Sequence, residues 1–263
     1  MSRLKLGVMG ACGRMGQRVL ALAVEDPRIE VVGVVESQGH PRMGDVLAPN
    51  LVLGSDLDDL MRDAQVYIDF TTPESSLAGA AAASQHGVAA VVGTTGFTDE
   101  QRAAFRSACQ GIPWILAPNM SYGVAVLATL VRAAAERLGK GYDVEIVETH
   151  HRRKADAPSG TALWLAEQVC AGRHWVKDKV SCFGRQGRPG PRSEDSIAVH
   201  AVRGGDVVGE HQVLFLGPGE RIELIHRAQS RDTFAQGAIE AALFLRGRPA
   251  GAYEIADVVL HTS

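Results

Sequence analysis

Leu4-Lys-Leu-Gly-Val-Met-Gly-Ala-Cys-Gly-Arg-Met-Gly16 runs from a short apolar strand into three glycines spaced three apart. A helical run, Gln17 to Glu25, follows and is stopped by Pro27. Ile29-Glu-Val-Val-Gly-Val-Val35 reads as a second strand and ends on Glu36. Strand, glycine loop, helix, strand and acid in this order make the arrangement of a dinucleotide-binding unit. Glycines let backbone approach a pyrophosphate, the helix N-terminus favours its charge, and the acid accepts hydrogen bonds from a ribose. The glycine triplet alone would also serve a tight turn with close helix–strand packing; the flanking elements and the acid favour the nucleotide.

The alternation continues outward. Val66–Phe70 is a strand, Pro73 to Gln85 an Ala-rich helix with Pro at its start, and Val88–Val92 a strand. Thr98-Asp-Glu-Gln101 has the form of a capping box opening a helix to Ala108, and Ile112–Leu116 is the next strand. This succession predicts an α/β fold, a Rossmann-like doubly wound parallel sheet whose ligand lies beyond the carboxyl ends of its strands. Asp69-Phe-Thr-Thr-Pro73, Gly93-Thr-Thr-Gly96 and Ala117-Pro-Asn-Met-Ser121 fall at such ends. Their hydroxyls and amides suit the nicotinamide end of a cofactor, and equally suit turns.

After a helix from Val124 to Leu138 the pattern changes. Strand Tyr142–Thr149 and one helix precede three strand-like runs, Ser196–Val202, Val207–Leu216 and Ile222–Arg227. Gly204-Gly205 and Gly217-Pro-Gly219 read as the turns of two antiparallel hairpins. A second α+β domain is expected, with a mixed sheet covered on one side by helices and a cleft against the first domain. The apolar Gln212–Leu216 strand would offer its outer face to a partner. Gly184–Arg192 reads as a flexible basic loop, with a substrate lid as the lesser alternative. Ser230 is placed to cap a final helix, Thr233 to Leu245, that packs back on the first domain. The expected boundaries are 1–120 for the dinucleotide-binding domain, 121–230 for substrate binding and oligomerisation, and 231–263 for the returning helix.

Glu148-Thr-His-His-Arg-Arg-Lys-Ala-Asp-Ala-Pro-Ser-Gly-Thr161 carries the chemistry. His150, His151 and Lys154 leave a strand, while Ser159, Gly160 and Thr161 start a helix whose N–H groups favour a carboxylate. Lys154 adds a point charge, and a histidine there can hand over a proton near neutral pH. A small diacid that must be protonated fits these groups; so, less specifically, does an ordinary basic loop.

Composition narrows the classes. Apolar residues make up 46% and charged residues 22% of 263, the proportions of a soluble protein, and a net charge of −3 argues against nucleic acid or an anionic membrane as partner. Cys12, Cys109, Cys170 and Cys182 show no paired or zinc-type spacing, so reduced thiols in the cytoplasm are expected and no metal. The N-terminal apolar stretch runs into the glycine loop, not into a cleavage site.

Together Gly10–Gly16, Val92-Gly-Thr-Thr-Gly-Phe97, Ala117–Ser121, Glu148–Thr161 and Gly205-Asp-Val-Val-Gly-Glu-His211 resemble, in order, the 4-hydroxy-tetrahydrodipicolinate (dihydrodipicolinate) reductase family. The resemblance implies reduction of a cyclic dicarboxylate to tetrahydrodipicolinate, on the diaminopimelate route to lysine, with NADH or NADPH, in a homotetramer. It implies that His150 is the general acid and Lys154 its catalytic partner, with His151, Lys154, Ser159, Gly160 and Thr161 binding substrate. It assigns Gly10, Ala11, Cys12, Gly13, Arg14, Met15, Gly16, Glu36, Phe70, Gly93, Thr94, Thr95, Ala117, Pro118, Asn119 and Met120 to the cofactor.

Relatives that grip the NADPH 2′-phosphate commonly carry Arg directly after the acid, where this chain has Ser37. Glu36 therefore points to NADH serving at least as well as NADPH, although Arg14 could still reach a phosphate. Cys12 lies by a helix start, which would favour its thiolate. Two rivals remain: a semialdehyde-type dehydrogenase with a nucleophilic cysteine, and a non-catalytic regulator that senses NAD.

Overall fold

The opening motif folds as strand, loop and helix in the computed structural model, which describes residues 2–261. Strand β1 (Leu4–Met9) leads through the glycine loop into helix α1 (Arg14–Glu25). The helix begins at Arg14, inside the loop and three residues before Gln17, because Gly13 occupies the cap position without a side chain to end the turn. A Cβ on Gly16 would lie 2.0 Å from the Gly10 carbonyl oxygen, so only glycine lets α1 start this close to the strand end. Strand β2 (Ile29–Val35) runs parallel to β1, with Met9 beside Val35.

Next come a short hairpin, β3 (Val46–Ala48) and β4 (Leu51–Gly54), and helix α2 (Leu57–Asp63), capped by the Asp56 carboxylate. The alternation is then β5 (Val66–Asp69), α3 (Pro73–His86), β6 (Ala89–Val92), α4 (Asp99–Ala108) and β7 (Pro113–Leu116). Local chemistry sets the boundaries. Thr72 caps α3 with Pro73 in first position, left-handed Gly87 closes it, and Thr98 and Gln101 form the reciprocal capping box of α4. Phe97, Phe105 and Trp114 pack edge to face in a core that also holds Tyr67, Met61 and Ile112. Burial of each such large side chain contributes roughly 1.5–3 kcal/mol.

Helix α5 (Tyr122–Leu138) is followed by β8 (Asp143–His150), α6 (Gly160–Arg173), a single turn α7 (Lys177–Val180) and the two-residue β9 (Ser181–Cys182). Then come β10 (Ile197–Arg203), β11 (Gly209–Gly217) and β12 (Glu220–Ala228). The sheet order is β12-β11-β8-β10-β9. The Gly217–Gly219 hairpin forms, joining β11 to β12 antiparallel. The Gly204-Gly205 hairpin does not: β8 lies between β10 and β11, parallel to the first and antiparallel to the second. The glycine segment instead wraps the end of β8, with Gly204 N–H bound to His150 O at 3.0 Å and His151 N–H bound to Val207 O at 2.8 Å. Val144, Ile146, Val199, Val213 and Phe215 pack on α5 and α6, so one face of this sheet is covered.

The chain ends with α8 (Asp232–Leu245), β13 (Gly251–Tyr253) and α9 (Ile255–His261). Arg231 stands at the cap position of α8, and its own side chain makes no capping bond. Among the described residues, 2–122 and 231–261 make one compact unit and 123–230 another. In the first, α8 packs on α1, where Arg18 meets Asp232 at 2.6 Å and Arg28 meets Glu240 at 2.5 Å. Its sheet reads β13-β7-β6-β5-β1-β2-β4-β3, parallel except at β3. Among the described residues no helix is long and apolar enough to cross a membrane.

Candidate active site

In the second unit the sheet register gathers the polar residues. β8 is central, and Glu148 sits opposite Ala201 on one side and His211 on the other, with His150 opposite Arg203. Glu148, at 0% exposure, accepts hydrogen bonds from the two terminal guanidinium nitrogens of Arg203 at 2.7 Å and from the Ser159 amide at 3.0 Å. His150 Nδ1 lies 2.6 Å from the same carboxylate. Burial alone would raise the Glu148 acid, but the bonds from His150, Arg203 and Ser159 outweigh it and hold it at about 2.

That contact fixes the imidazole: Nδ1 donates to Glu148, which leaves Nε2 as the working nitrogen. Nε2 lies over Gly209, where a Cβ would approach it to 3.0 Å. The His211 ring stands edge-on to His150 at 5.2 Å and pairs through Nε2 with Ser159 Oγ at 3.0 Å. Burial, helped by the charge of His150, pushes His211 down to about 3, so it is neutral in the folded protein. Ser159 caps α6 by accepting from the Ala162 amide at 3.1 Å, and Gly160 and Thr161 occupy the first helical positions. Lys154, in the loop between β8 and α6, pairs with Asp156 at 2.9 Å and is 21% exposed. His151 lies just past the strand end, half-buried.

In the first unit the glycine loop presents the uncapped N-terminus of α1, an open cradle for an anion. Arg14 is exposed, Met15 half-buried, and Ala11 and Gly16 are buried. Glu36 directly follows β2, with its carboxylate held by the amides of Cys12 at 3.2 Å and Ser37 at 2.9 Å. These residues fit a nucleotide: a backbone cradle opened by Gly10, Gly13 and Gly16, and a carboxylate at its rim. The Cys12 thiol is not poised as thiolate; burial raises it above its ordinary value. Phe70 packs against Gly93, where a Cβ would fall 2.1 Å from the ring. Thr94 is buried, its hydroxyl meeting Ser76 Oγ at 2.9 Å and the Thr71 amide at 3.0 Å around buried Asp69. Thr95 and Pro118 are exposed, Ala117 and Asn119 are half-buried, and Met120 points into the core.

Arg203 and His211 carry this second-unit network, yet sequence reasoning gave neither a role. The only signal was His211 at the end of the Gly205–His211 motif; Arg203 needed the strand register. The basic 184–192 segment is a loop, but two of its three arginines are engaged: Arg185 grips Glu145 with two nitrogens at 2.8 and 2.9 Å, and Arg192 reaches Glu145 and Asp143. A cysteine nucleophile finds no support, since burial pushes the Cys109 thiol up to about 12 and raises Cys170.

A parallel Rossmann-like unit with a glycine cradle and acid, and a second unit holding a buried Glu–His pair, define an NAD(P)H-dependent oxidoreductase. The family models for dihydrodipicolinate reductase match in two parts, the N-terminus over residues 4–120 and the C-terminus over 123–259. A 4-hydroxy-tetrahydrodipicolinate reductase from Rubrobacter xylanophilus is 45% identical over 260 residues, covering 97% of this chain and 98% of the relative. One from Burkholderia thailandensis is 42% identical over 265 residues, covering 98% and 99%. A dipicolinate-bound dihydrodipicolinate reductase from Paenisporosarcina sp. TG-14 superposes with TM-score 0.75 at 26% identity, covering 96% and 97%. The chain belongs to the dihydrodipicolinate reductase family.

Proposed function

We propose a division of labour within the family's reaction, in which the first unit holds the nucleotide and the second binds and protonates the substrate. The chain reduces 4-hydroxy-tetrahydrodipicolinate to tetrahydrodipicolinate on the diaminopimelate route to lysine. Loss of water gives the conjugated cyclic imine dihydrodipicolinate; one hydride and one proton then complete the product. The nicotinamide, when bound, supplies the hydride. His150 supplies the proton through Nε2, and the Glu148 carboxylate, anchored by Arg203, stabilises the imidazolium and fixes its orientation. Lys154 and the N-terminus of α6 at Ser159, Gly160 and Thr161, together with His151, take the substrate carboxylates.

The Glu148–His150 contact at 2.6 Å carries this reading, because it aims one nitrogen of a buried histidine. Glu36 receives the adenosine ribose, and the glycine loop receives the pyrophosphate; Phe70, Gly93–Thr95 and Ala117–Met120 line the nicotinamide end. With Ser37 after Glu36, NADH serves at least as well as NADPH. The sheet face opposite α5 and α6, with Val202, Leu214 and Ile225 on it, joins copies of the chain into a homotetramer. Four unpaired cysteines fit the cytoplasm. The deciding experiment couples the chain to dihydrodipicolinate synthase and follows NADH absorbance; no synthase-dependent consumption would overturn the assignment.

A further inference from the structure

We propose that Cys12, Glu36 and His40 form a binding site for a thiophilic divalent cation of the Zn2+ class, and that this ion and the nucleotide exclude one another. One sulfur, one carboxylate oxygen and one ring nitrogen from these residues lie within 4.8 Å of each other. They come together because β1 and β2 are neighbours: Cys12 follows the first strand, Glu36 follows the second, and His40 sits in the turn beyond. That turn is ordered, with His40 N–H bound to Ser37 O and Met43 N–H bound to His40 O, both at 3.0 Å. Two amides pin the Glu36 carboxylate and still leave it free lone pairs.

Thiolate, imidazole and carboxylate together select Zn2+, Co2+ or Cd2+ over Mg2+ and Ca2+. Bonds of about 2.0–2.3 Å place tetrahedral ligands roughly 3.3–3.8 Å apart, so the donors need close by only about an ångström, with a fourth position left for water. Two features oppose binding. The Arg42 amide donates to His40 Nδ1 at 3.2 Å, a long bond that is given up if Nε2 ligates and the proton moves to Nδ1. The Arg42 guanidinium acts on Cys12, but its charge is met by Asp45 at 2.9 Å. No spacing motif announces the trio, since its members are 24 and 4 residues apart in sequence.

Exclusion of the nucleotide rests on the placement of the adenosine ribose at Glu36. Titration of the cofactor-free protein with Co2+ tests both parts. A sulfur-to-cobalt charge-transfer band should rise to one equivalent, vanish in Cys12→Ser, and require about tenfold or more Co2+ in His40→Gln. It should persist in Cys182→Ser, which removes the other half-exposed thiol. NADH should bleach the band in proportion to its own binding. No band, or a band that survives Cys12→Ser, overturns the metal site. A Cys12-dependent band indifferent to saturating NADH leaves the metal site standing and overturns the ribose placement.

Discussion

Arg203 grips Glu148 with two guanidinium nitrogens at 2.7 Å, and His150 leans on the same carboxylate. A lysine cannot reproduce this fork. Arg203→Lys should lower kcat about tenfold and cost about 1–3 kcal/mol of stability, since part of the buried carboxylate loses its partner. Steady-state kinetics and urea unfolding check this; wild-type values in both would remove Arg203 from the support of the imidazole.

His150→Gln should lower kcat by roughly 10²–10⁴, the usual contribution of a general acid, with a smaller change in KM for substrate. Near-normal turnover in the coupled assay would take His150 out of the proton transfer.

Gly209→Ala adds a methyl 3.0 Å from His150 Nε2, tighter than ordinary contact. Because the β11 backbone is otherwise unstrained at this position, kcat should fall tenfold or more while the melting temperature moves by a few degrees. Unchanged kcat would mean that Nε2 does not face the reacting ring.

Acid should destabilise the protein in two stages. His211 is neutral when folded, with its pKa near 3 against an ordinary 6.5, so the unfolded chain takes up a proton first and stability falls as pH drops below about 6.5. Glu148 and Glu145 are held at about 2 against an ordinary 4.5; their contribution is complete above 4.5 and is lost as pH falls from there towards 2. Denaturant midpoints across pH 7 to 3 should show both stages, and His211→Asn should shrink the upper one without touching the lower, the remainder coming from His226, which burial also lowers.

Glu36→Ala should raise KM for NADH about tenfold and leave KM for NADPH nearly unchanged, since a 2′-phosphate has no use for the carboxylate. Equal effects on both nucleotides would place the ribose elsewhere.

The parallel sheet was legible because its strands are short apolar runs separated by helices with explicit start signals: Pro73 after Thr72, and the Thr98/Gln101 box. The β3–β4 hairpin, α2 and β13 were missed, being three to seven residues long with little periodicity. The Gly204-Gly205 turn misled for a different reason. A glycine pair signals reversal but cannot say that a third strand from earlier in the chain lies between. His150 and Lys154 stood out as residue types at a strand end. Arg203 and His211 did not, because what brings them to Glu148 is strand register, a long-range property. The acidic anchor of the 184–192 loop, Glu145, was hidden in the same way among alternating strand residues.

Because β13 lies beside β7, and α8 lies on α1, more than a hundred residues must be translated between the first unit's opening strands and the elements that finish it. On the ribosome the segment 123–230 is therefore complete before its predecessor is, reversing the usual N-to-C order of domain maturation. Until Gly251–Tyr253 emerges, β7 keeps an unsatisfied edge, open to pairing with a strand of another chain.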